Sequence, residues 1–178
     1  MPPTCVAKTH LGFLRGLADD HNGCSYLGVP YAAPPLDALR FSPPRPHKRW
    51  RGTRDATQYG HDCWQLSPGP RMPYDERTQH EDCLTLNVHV PASVASRRRS
   101  PLPSRKLPVL VFIHGGAFRE GSASSPLYEA SELARRGGLV VITFNYRLGP
   151  FGFLVSTADG VHGNAGLWDQ RAALSFVS

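Results

Sequence analysis

The apolar positions of this chain change period along its length, and each change marks a different kind of element. From Val6 to Leu17 short apolar stretches are broken by glycine, the pattern of a small hairpin or meander. Tyr26-Leu27-Gly28-Val29-Pro30-Tyr31 is a second apolar piece, closed by the turn residues Ala33-Pro34-Pro35. From Phe41 to Trp50 the chain is rich in proline and basic residues. Proline has no N–H to give to a sheet, so this stretch is predicted to be a surface connection. Residues 60 to 80 show no period and read as irregular. Leu84-Thr85-Leu86-Asn87-Val88-His89-Val90 alternates apolar and polar side chains, the period of a half-buried strand, and Pro91 ends it. Ser93 to Lys106, rich in Ser, Arg and Pro, reads as a solvated loop.

The pattern then becomes continuous. Val109-Leu110-Val111-Phe112-Ile113 is an unbroken β-favouring run and predicts a strand buried on both faces. Residues 114 to 124 are rich in Gly and Ser. Leu127 to Arg136 has helical spacing, with Leu127, Ala130, Leu133 and Ala134 on one face and Gly137-Gly138 as its stop. Leu139 to Phe144 is a second buried strand. Strand, helix and strand in succession make a βαβ unit and hence a parallel pair. Asn164 is the predicted cap of a last helix whose apolar face is Leu167, Ala172 or Arg171, Leu174 and Val177. That helix meets Ser178 in mid-pattern, which reads as a truncation. The fold class is α/β, with antiparallel strands leading into a mostly parallel sheet flanked by helices.

Composition narrows this. With 178 residues, 40% of them hydrophobic, the chain is long and apolar enough for one globular domain. Its 17 prolines and 17 glycines predict many turns. The net charge of +6 is concentrated in Arg45–Arg54 and Arg97–Lys106. Such stretches suit an acidic partner such as nucleic acid, or they are solvated loops. The second reading is favoured, because no aromatic–basic interleaving or nucleic-acid module accompanies them. No apolar run reaches the roughly 18 residues of a membrane span. The first residues have no signal-peptide core, so the sequence as given points to the cytosol, and to secretion if its start is incomplete. The four cysteines contain no C-x-x-C, so no zinc site is expected, nor any other metal or cofactor. In an oxidising compartment they can pair; in a reducing one they are thiols.

The candidate chemistry lies after the first buried strand, at His114-Gly115-Gly116-Ala117-Phe118. Ester hydrolysis passes through a tetrahedral intermediate with an anionic oxygen, and each backbone N–H aimed at it is worth about 3 kcal/mol. Glycines let the backbone approach that closely. A plain strand-to-loop turn would need no more than Gly-Gly, so this motif alone supports either reading.

Several blocks resemble the type-B carboxylesterase family, which includes the cholinesterases. They are Tyr26–Pro35 with Leu39-Arg40-Phe41, Trp50–Thr57, Glu81-Asp82-Cys83-Leu84-Thr85-Leu86-Asn87-Val88, Asn145–Leu154 and Gly163–Gln170, in family order across almost the whole chain. The resemblance implies that residues 1–178 are the N-terminal part of one α/β-hydrolase domain. It implies that Gly116 and Ala117 give the oxyanion-hole N–H groups, with Gly115 letting the loop fold and His114 packing beneath it. Cys63 and Cys83 would form a disulfide worth about 3 kcal/mol. Arg40 with Glu81, and Arg147 with Asp169, would be buried ion pairs, since a buried charge must be paired.

The family nucleophile sits on G-x-S-x-G at a strand-to-helix elbow. No serine here has that context: Ser175 and Ser178 lie in the last helical pattern, and Ser122 to Ser125 follow the glycine loop. The resemblance places the elbow, the acid and the base beyond Ser178, and leaves the eight histidines present in packing or surface roles. The expected activity is therefore hydrolysis of a small-molecule carboxylic ester in family terms, without cofactor, and with this chain inactive alone. A non-catalytic cholinesterase-like adhesion or binding protein, or a non-functional truncated product, is the alternative. The strand Val109–Ile113 is expected to present an open edge and to make the isolated chain poorly soluble.

Overall fold

The structure is a computed structural model, and it describes residues 3–21, 23–66, 79–92 and 106–178. The middle of the irregular 60–80 segment and nearly all of the loop expected over Ser93–Lys106, with the second basic stretch, lie outside these residues.

The glycine-broken start folds as expected. Strands β1 (Thr4–Lys8) and β2 (Phe13–Ala18) form an antiparallel hairpin. Strand β3 (Cys24–Pro30) follows antiparallel to β2, and the short β4 (Thr53–Asp55) adds parallel to β2 from the other side of the proline-rich connection. β5 (Thr85–Val90) pairs antiparallel with β3. Its register shifts between Tyr26 and Val29. Gly28 lies in that shift at φ +64°, and a Cβ there would sit 2.6 Å from the carbonyl oxygen of Gln58. A side chain is excluded, and the close approach brings residues 58–60 against the sheet.

β6 (Val109–Ile113) and β7 (Val140–Phe144) are the parallel pair of the βαβ unit. The strand order is β1-β2-β3-β5-β7-β6, so β7 joins the antiparallel front to β6. The sheet is thus mixed, with antiparallel pairs in the majority among the described residues. A separate two-stranded ribbon, β8 (Val155–Ser156) and β9 (Val161–His162), precedes the last helix.

Several expectations are corrected. The run Val109–Ile113 is not buried on both faces: Val109 is 50% exposed and Ile113 41%, because β6 is the last strand of the sheet and no described element covers its outer side. The helix expected over Leu127–Arg136 is split. Ser125 accepts a hydrogen bond from the Leu127 N–H and Pro126 starts a single 3₁₀ turn, Pro126–Tyr128, after which helix α1 spans Ser131–Gly137. Only Ala130 and Ala134 of the predicted face pack inward, against Val141, while Leu127 and Leu133 face solvent. Gly138, at φ 62°, ends the helix in the left-handed conformation expected of a terminal glycine.

The short α2 (Gly149–Phe153) precedes α3 (Ala165–Val177), which starts after Asn164. Asn164 makes no side-chain cap bond; its left-handed φ of 58° sets the entry instead. The predicted apolar face is rotated. Ala165, Gly166, Asp169 and Ala173 are buried, while Leu167 and Leu174 are 45% exposed. Small residues win the inner face because a Cβ on Gly166 would lie 2.5 Å from the Arg147 carbonyl oxygen. Larger side chains have no room at that contact.

The principal core runs under β3, β5 and β7: Val29, Leu84, Leu86, Phe144, Tyr146 and Leu148 are nearly or fully inaccessible. Arg147 and Asp169 are buried inside it at 3% and 0% side-chain exposure. The guanidinium donates two bonds of 2.7 Å to the carboxylate, a third of 2.8 Å to the Ser42 carbonyl, and the Arg147 amide donates to the same carboxylate at 3.1 Å. Arg40 and Glu81 pair as well, at 2.6 and 2.7 Å, but their side chains are 40% and 17% exposed, so this is a surface pair and not a buried one.

Asp169→Ala removes the carboxylate paired with the buried Arg147 guanidinium, and breaking such a pair from one side costs about 3–5 kcal/mol. Urea unfolding of the variant is expected to show that loss, whereas Glu81→Ala stays within about 1 kcal/mol of the parent. The bare β6 edge is expected to make the chain self-associate at micromolar concentration, read as concentration-dependent light scattering.

Candidate functional site

β6 delivers the chain into His114, and the segment from there to Ala123 is shaped by hydrogen bonds from both backbone and side chains. His114 is buried at 3% exposure and stacks on Tyr146, with ring centroids 4.5 Å apart and planes at 16°. Its Nδ1 lies 2.9 Å from the carbonyl oxygen of Gly115. A carbonyl accepts only, so the ring carries its proton on Nδ1. The Tyr146 hydroxyl in turn donates to the His114 carbonyl at 3.1 Å. Nε2 is buried and has no hydrogen-bond partner among the described residues. Burial holds the His114 pKa below the ordinary histidine value, with the contact to Gly115 opposing it weakly. His114 is thus a neutral packing residue beneath the loop.

Beyond it the backbone turns sharply. Gly116, Ala117 and Phe118 all have positive φ, at 115°, 51° and 60°. The Arg119 and Glu120 amides both donate to the Gly116 carbonyl, at 2.9 and 3.1 Å, and close the turn. The amides of Gly116 and Ala117 donate to nothing among the described residues. Both N–H groups are thus left without an internal acceptor among the described residues. The alanine and phenylalanine in this region are strained, at about 1–3 kcal/mol each, and such strain persists only where surrounding contacts impose it.

The glycines divide their work differently from the expectation. A Cβ on Gly116 would lie 1.9 Å from the Glu120 carbonyl oxygen, and one on Gly121 2.4 Å from His114 Nδ1. Gly115 meets nothing within 4 Å and has no positive φ. The positions that demand glycine are therefore Gly116 and Gly121, while Gly115 leaves open space above the loop.

A set of polar contacts that the sequence patterns did not expose imposes the shape. Gln65 accepts from the Gly121 N–H at 2.8 Å and donates to the Gly121 carbonyl at 3.0 Å. The Ser122 hydroxyl donates to Asp62, and the Ala123 amide donates to Asn145 Oδ1 at 2.8 Å. Asn87 Nδ2 donates to the Ala123 carbonyl at 3.1 Å and its Oδ1 accepts from Gly28 N–H at 3.0 Å. Tyr31 donates to the Asn145 carbonyl at 2.6 Å. A polar residue in the middle of an otherwise apolar strand, as Asn87 is, was the available signal; Gln65 and Asp62 offered none.

Asp62 and Gln65 flank Cys63, which is joined to Cys83 with Cα atoms 5.0 Å apart. A second cystine pairs Cys5 with Cys24. Beside the loop opens a cleft of about 450 Å³ walled by Trp64, Leu66, Arg119, Pro150 and Phe151. Phe118 is half exposed, packs at a tilt on Phe153 and edgewise on Tyr146, and its carbonyl accepts the Gly149 amide at 2.7 Å.

A glycine loop leaving a parallel strand, braced from an antiparallel front sheet, defines the N-terminal portion of an α/β-hydrolase fold. The Carboxylesterase family model matches residues 3–178, and the chain belongs to that family. It is 44% identical to the para-nitrobenzyl esterase of Bacillus subtilis over 176 residues, which is 97% of this chain and 34% of that protein. It is 38% identical to the acetylcholinesterase of Electrophorus electricus over 187 residues, covering 98% and 28%. Thyroglobulin of Rattus norvegicus is 47% identical over 152 residues, 85% of this chain and 5% of that one. Among solved structures, a thermophilic para-nitrobenzyl esterase superposes with a TM-score of 0.83 at 42% identity, over 97% of this chain and 34% of its own. The chain therefore spans about a third of the length of the esterases it matches.

Gly116→Ala is expected to destabilise the chain by at least about 2 kcal/mol, and Gly115→Ala by no more than about 0.5; chemical denaturation of the two variants compares them directly. His114, and His89 in β5, are both held below their ordinary pKa by burial. The unfolded chain then binds more protons than the folded one, so stability is lost as pH falls below about 6.5. A thermal midpoint that drops steadily from pH 7 to pH 5 is the expected result.

Proposed function

We propose that this chain is the part of a serine-type carboxylic ester hydrolase that supplies the oxyanion-hole donors, and that it does not turn over ester alone. The observation that carries the reading is the pair of amides at Gly116 and Ala117, without a partner among the described residues and fixed in a strained turn by contacts on both flanks. A binding surface has no use for two backbone donors kept free in this way. In acyl transfer the serine attacks the ester carbonyl, a histidine takes and returns the proton, and an acid orients the histidine. The carbonyl oxygen becomes anionic in the same step. Gly116 and Ala117 would donate to it, each N–H being worth about 3 kcal/mol when preorganised. The open space above Gly115 admits the substrate carbonyl, and the cleft at Trp64 and Phe151 suits an apolar ester substituent. No serine of this sequence sits in G-x-S-x-G, so the nucleophile must come from elsewhere.

The Arg147–Asp169 pair would hold α3 against the loop's supporting strand, and the Cys63–Cys83 link would hold the segment that grips the loop. Two cystines favour an oxidising compartment over the cytosol that the first residues suggest.

A second reading, a non-catalytic cholinesterase-like binding protein, has behind it the 47% identity to thyroglobulin, whose name is not that of an esterase. One experiment separates the two. Residues 1–178 are expected to leave p-nitrophenyl acetate at the buffer rate. Exchanged for the matching third of the Bacillus subtilis para-nitrobenzyl esterase, they are expected to sustain hydrolysis, with kcat falling about 10²–10³-fold when the loop is deformed by Gly116→Val. A folded but inactive chimera supports the binding reading. Turnover by the chain alone that survives the loop change overturns the esterase reading.

A further inference from the structure

The glycine loop has a neck. Gly116 and Glu120 meet at one level, where a Cβ on Gly116 would strike the Glu120 carbonyl. One residue further out from the tip, Gly121 lies against the Gly115 carbonyl and His114 Nδ1, at 2.6 and 2.4 Å from an added Cβ. The two ends of the loop therefore press together at Gly115 and Gly121. No backbone hydrogen bond joins them among the described residues; the Gly121 N–H and carbonyl both bond to Gln65 instead.

The side-chain amide of Gln65 holds the Gly121 side of that neck. Its oxygen accepts the Gly121 N–H at 2.8 Å while its nitrogen donates to the Gly121 carbonyl at 3.0 Å, the double contact that a neighbouring strand would make. The same nitrogen donates to the Cys63 carbonyl at 3.1 Å, which fixes the orientation of the amide. The Gln65 backbone N–H donates to the buried Gln79 side chain at 3.0 Å, across the ring closed by Cys63 and Cys83. Gln65 is therefore held at three points and touches the loop by two directional bonds.

We propose that Gln65 is a positioning residue for ester hydrolysis: its side-chain amide closes the neck of the glycine loop and thereby fixes the Gly116 and Ala117 amides. The catalytic part of this statement rests on the esterase reading above; the positioning part does not. Volume is not what Gln65 supplies. Methionine has nearly the same length and bulk without the donor or acceptor, whereas glutamate keeps the acceptor for the Gly121 N–H.

Amide exchange resolved by residue in the 178-residue chain tests the positioning. Gln65→Met and Gln65→Ala are both expected to lower protection at Arg119, Glu120 and Gly121 by at least about tenfold, the effect of losing one buried hydrogen bond. Gln65→Glu keeps the acceptor but sets an anionic oxygen against the Gly121 and Cys63 carbonyls; it is expected to lose Gly121 protection as well, and all three variants to leave the β5 amides unchanged. Methionine protecting like glutamine overturns the proposal, because packing would then suffice. So does loss of β5 protection in step with the loop, or a parent chain in which Gly121 exchanges as fast as a free peptide. In the chimera, Gln65→Met is expected to lower kcat for p-nitrophenyl acetate about tenfold or more with KM within about twofold, the split of an interaction made in the transition state. Unchanged kcat with a loosened loop removes the catalytic role and leaves the positioning. An inactive parent chimera defeats the esterase reading while the exchange data still decide the neck.

Discussion

The structure turns on one constraint: the loop at Gly116 and Ala117 keeps a strained, positive-φ course, with neither N–H bonded among the described residues, because the chain on both sides of it is held. Left to itself, a glycine-rich loop relaxes, and its donors turn toward water or toward neighbouring carbonyls. Here relaxation is blocked from three sides. Stacking on Tyr146 and the bond to Gly115 fix His114 at the start, Gln65 and Asp62 hold Gly121 and Ser122 at the return, and Asn145 and Asn87 hold Ala123 beyond it. The sheet order matters because of this. β5 and β7 lie side by side, so Asn87 on one and Asn145 just past the other reach the same residue, Ala123.

Buried polar groups of this kind are costly unless each is satisfied, and nearly all are. The exceptions among the described residues are His114 Nε2 and one Arg147 nitrogen. Both lie beside the elements that carry the site. Arg147 follows Tyr146, whose ring supports His114, so the buried Arg147–Asp169 pair ties α3 to the same short segment that supports the loop.

Most of the frame was legible in the sequence. Hairpin, alternating strand, and strand–helix–strand each announce themselves by period, and the glycine loop stands at the end of the first continuous apolar run. The failures have physical causes. Val109–Ile113 has the composition of a central strand, and composition does not reveal which neighbour is present. On α3 the periodic leucines suggested the inner face, but the close approach to the Arg147 carbonyl reserves that face for Gly166 and Ala173. Arg40 and Glu81 looked equivalent to Arg147 and Asp169 as a charge pair, yet burial is set by what covers them. The bracing of the loop was the least legible part. Gln65 and Asp62 are ordinary polar residues in an aperiodic stretch, and their contacts span more than 50 positions of sequence.

The most direct measurement is a crystal structure of the chimera with its serine phosphonylated, since the phosphoryl oxygen then stands where the anionic oxygen forms. The account predicts that this oxygen lies within about 2.7–3.1 Å of both the Gly116 and Ala117 nitrogens, with Gln65 still bonded to Gly121. An oxygen bound by other donors, with the two amides turned away or satisfied within the protein, contradicts it.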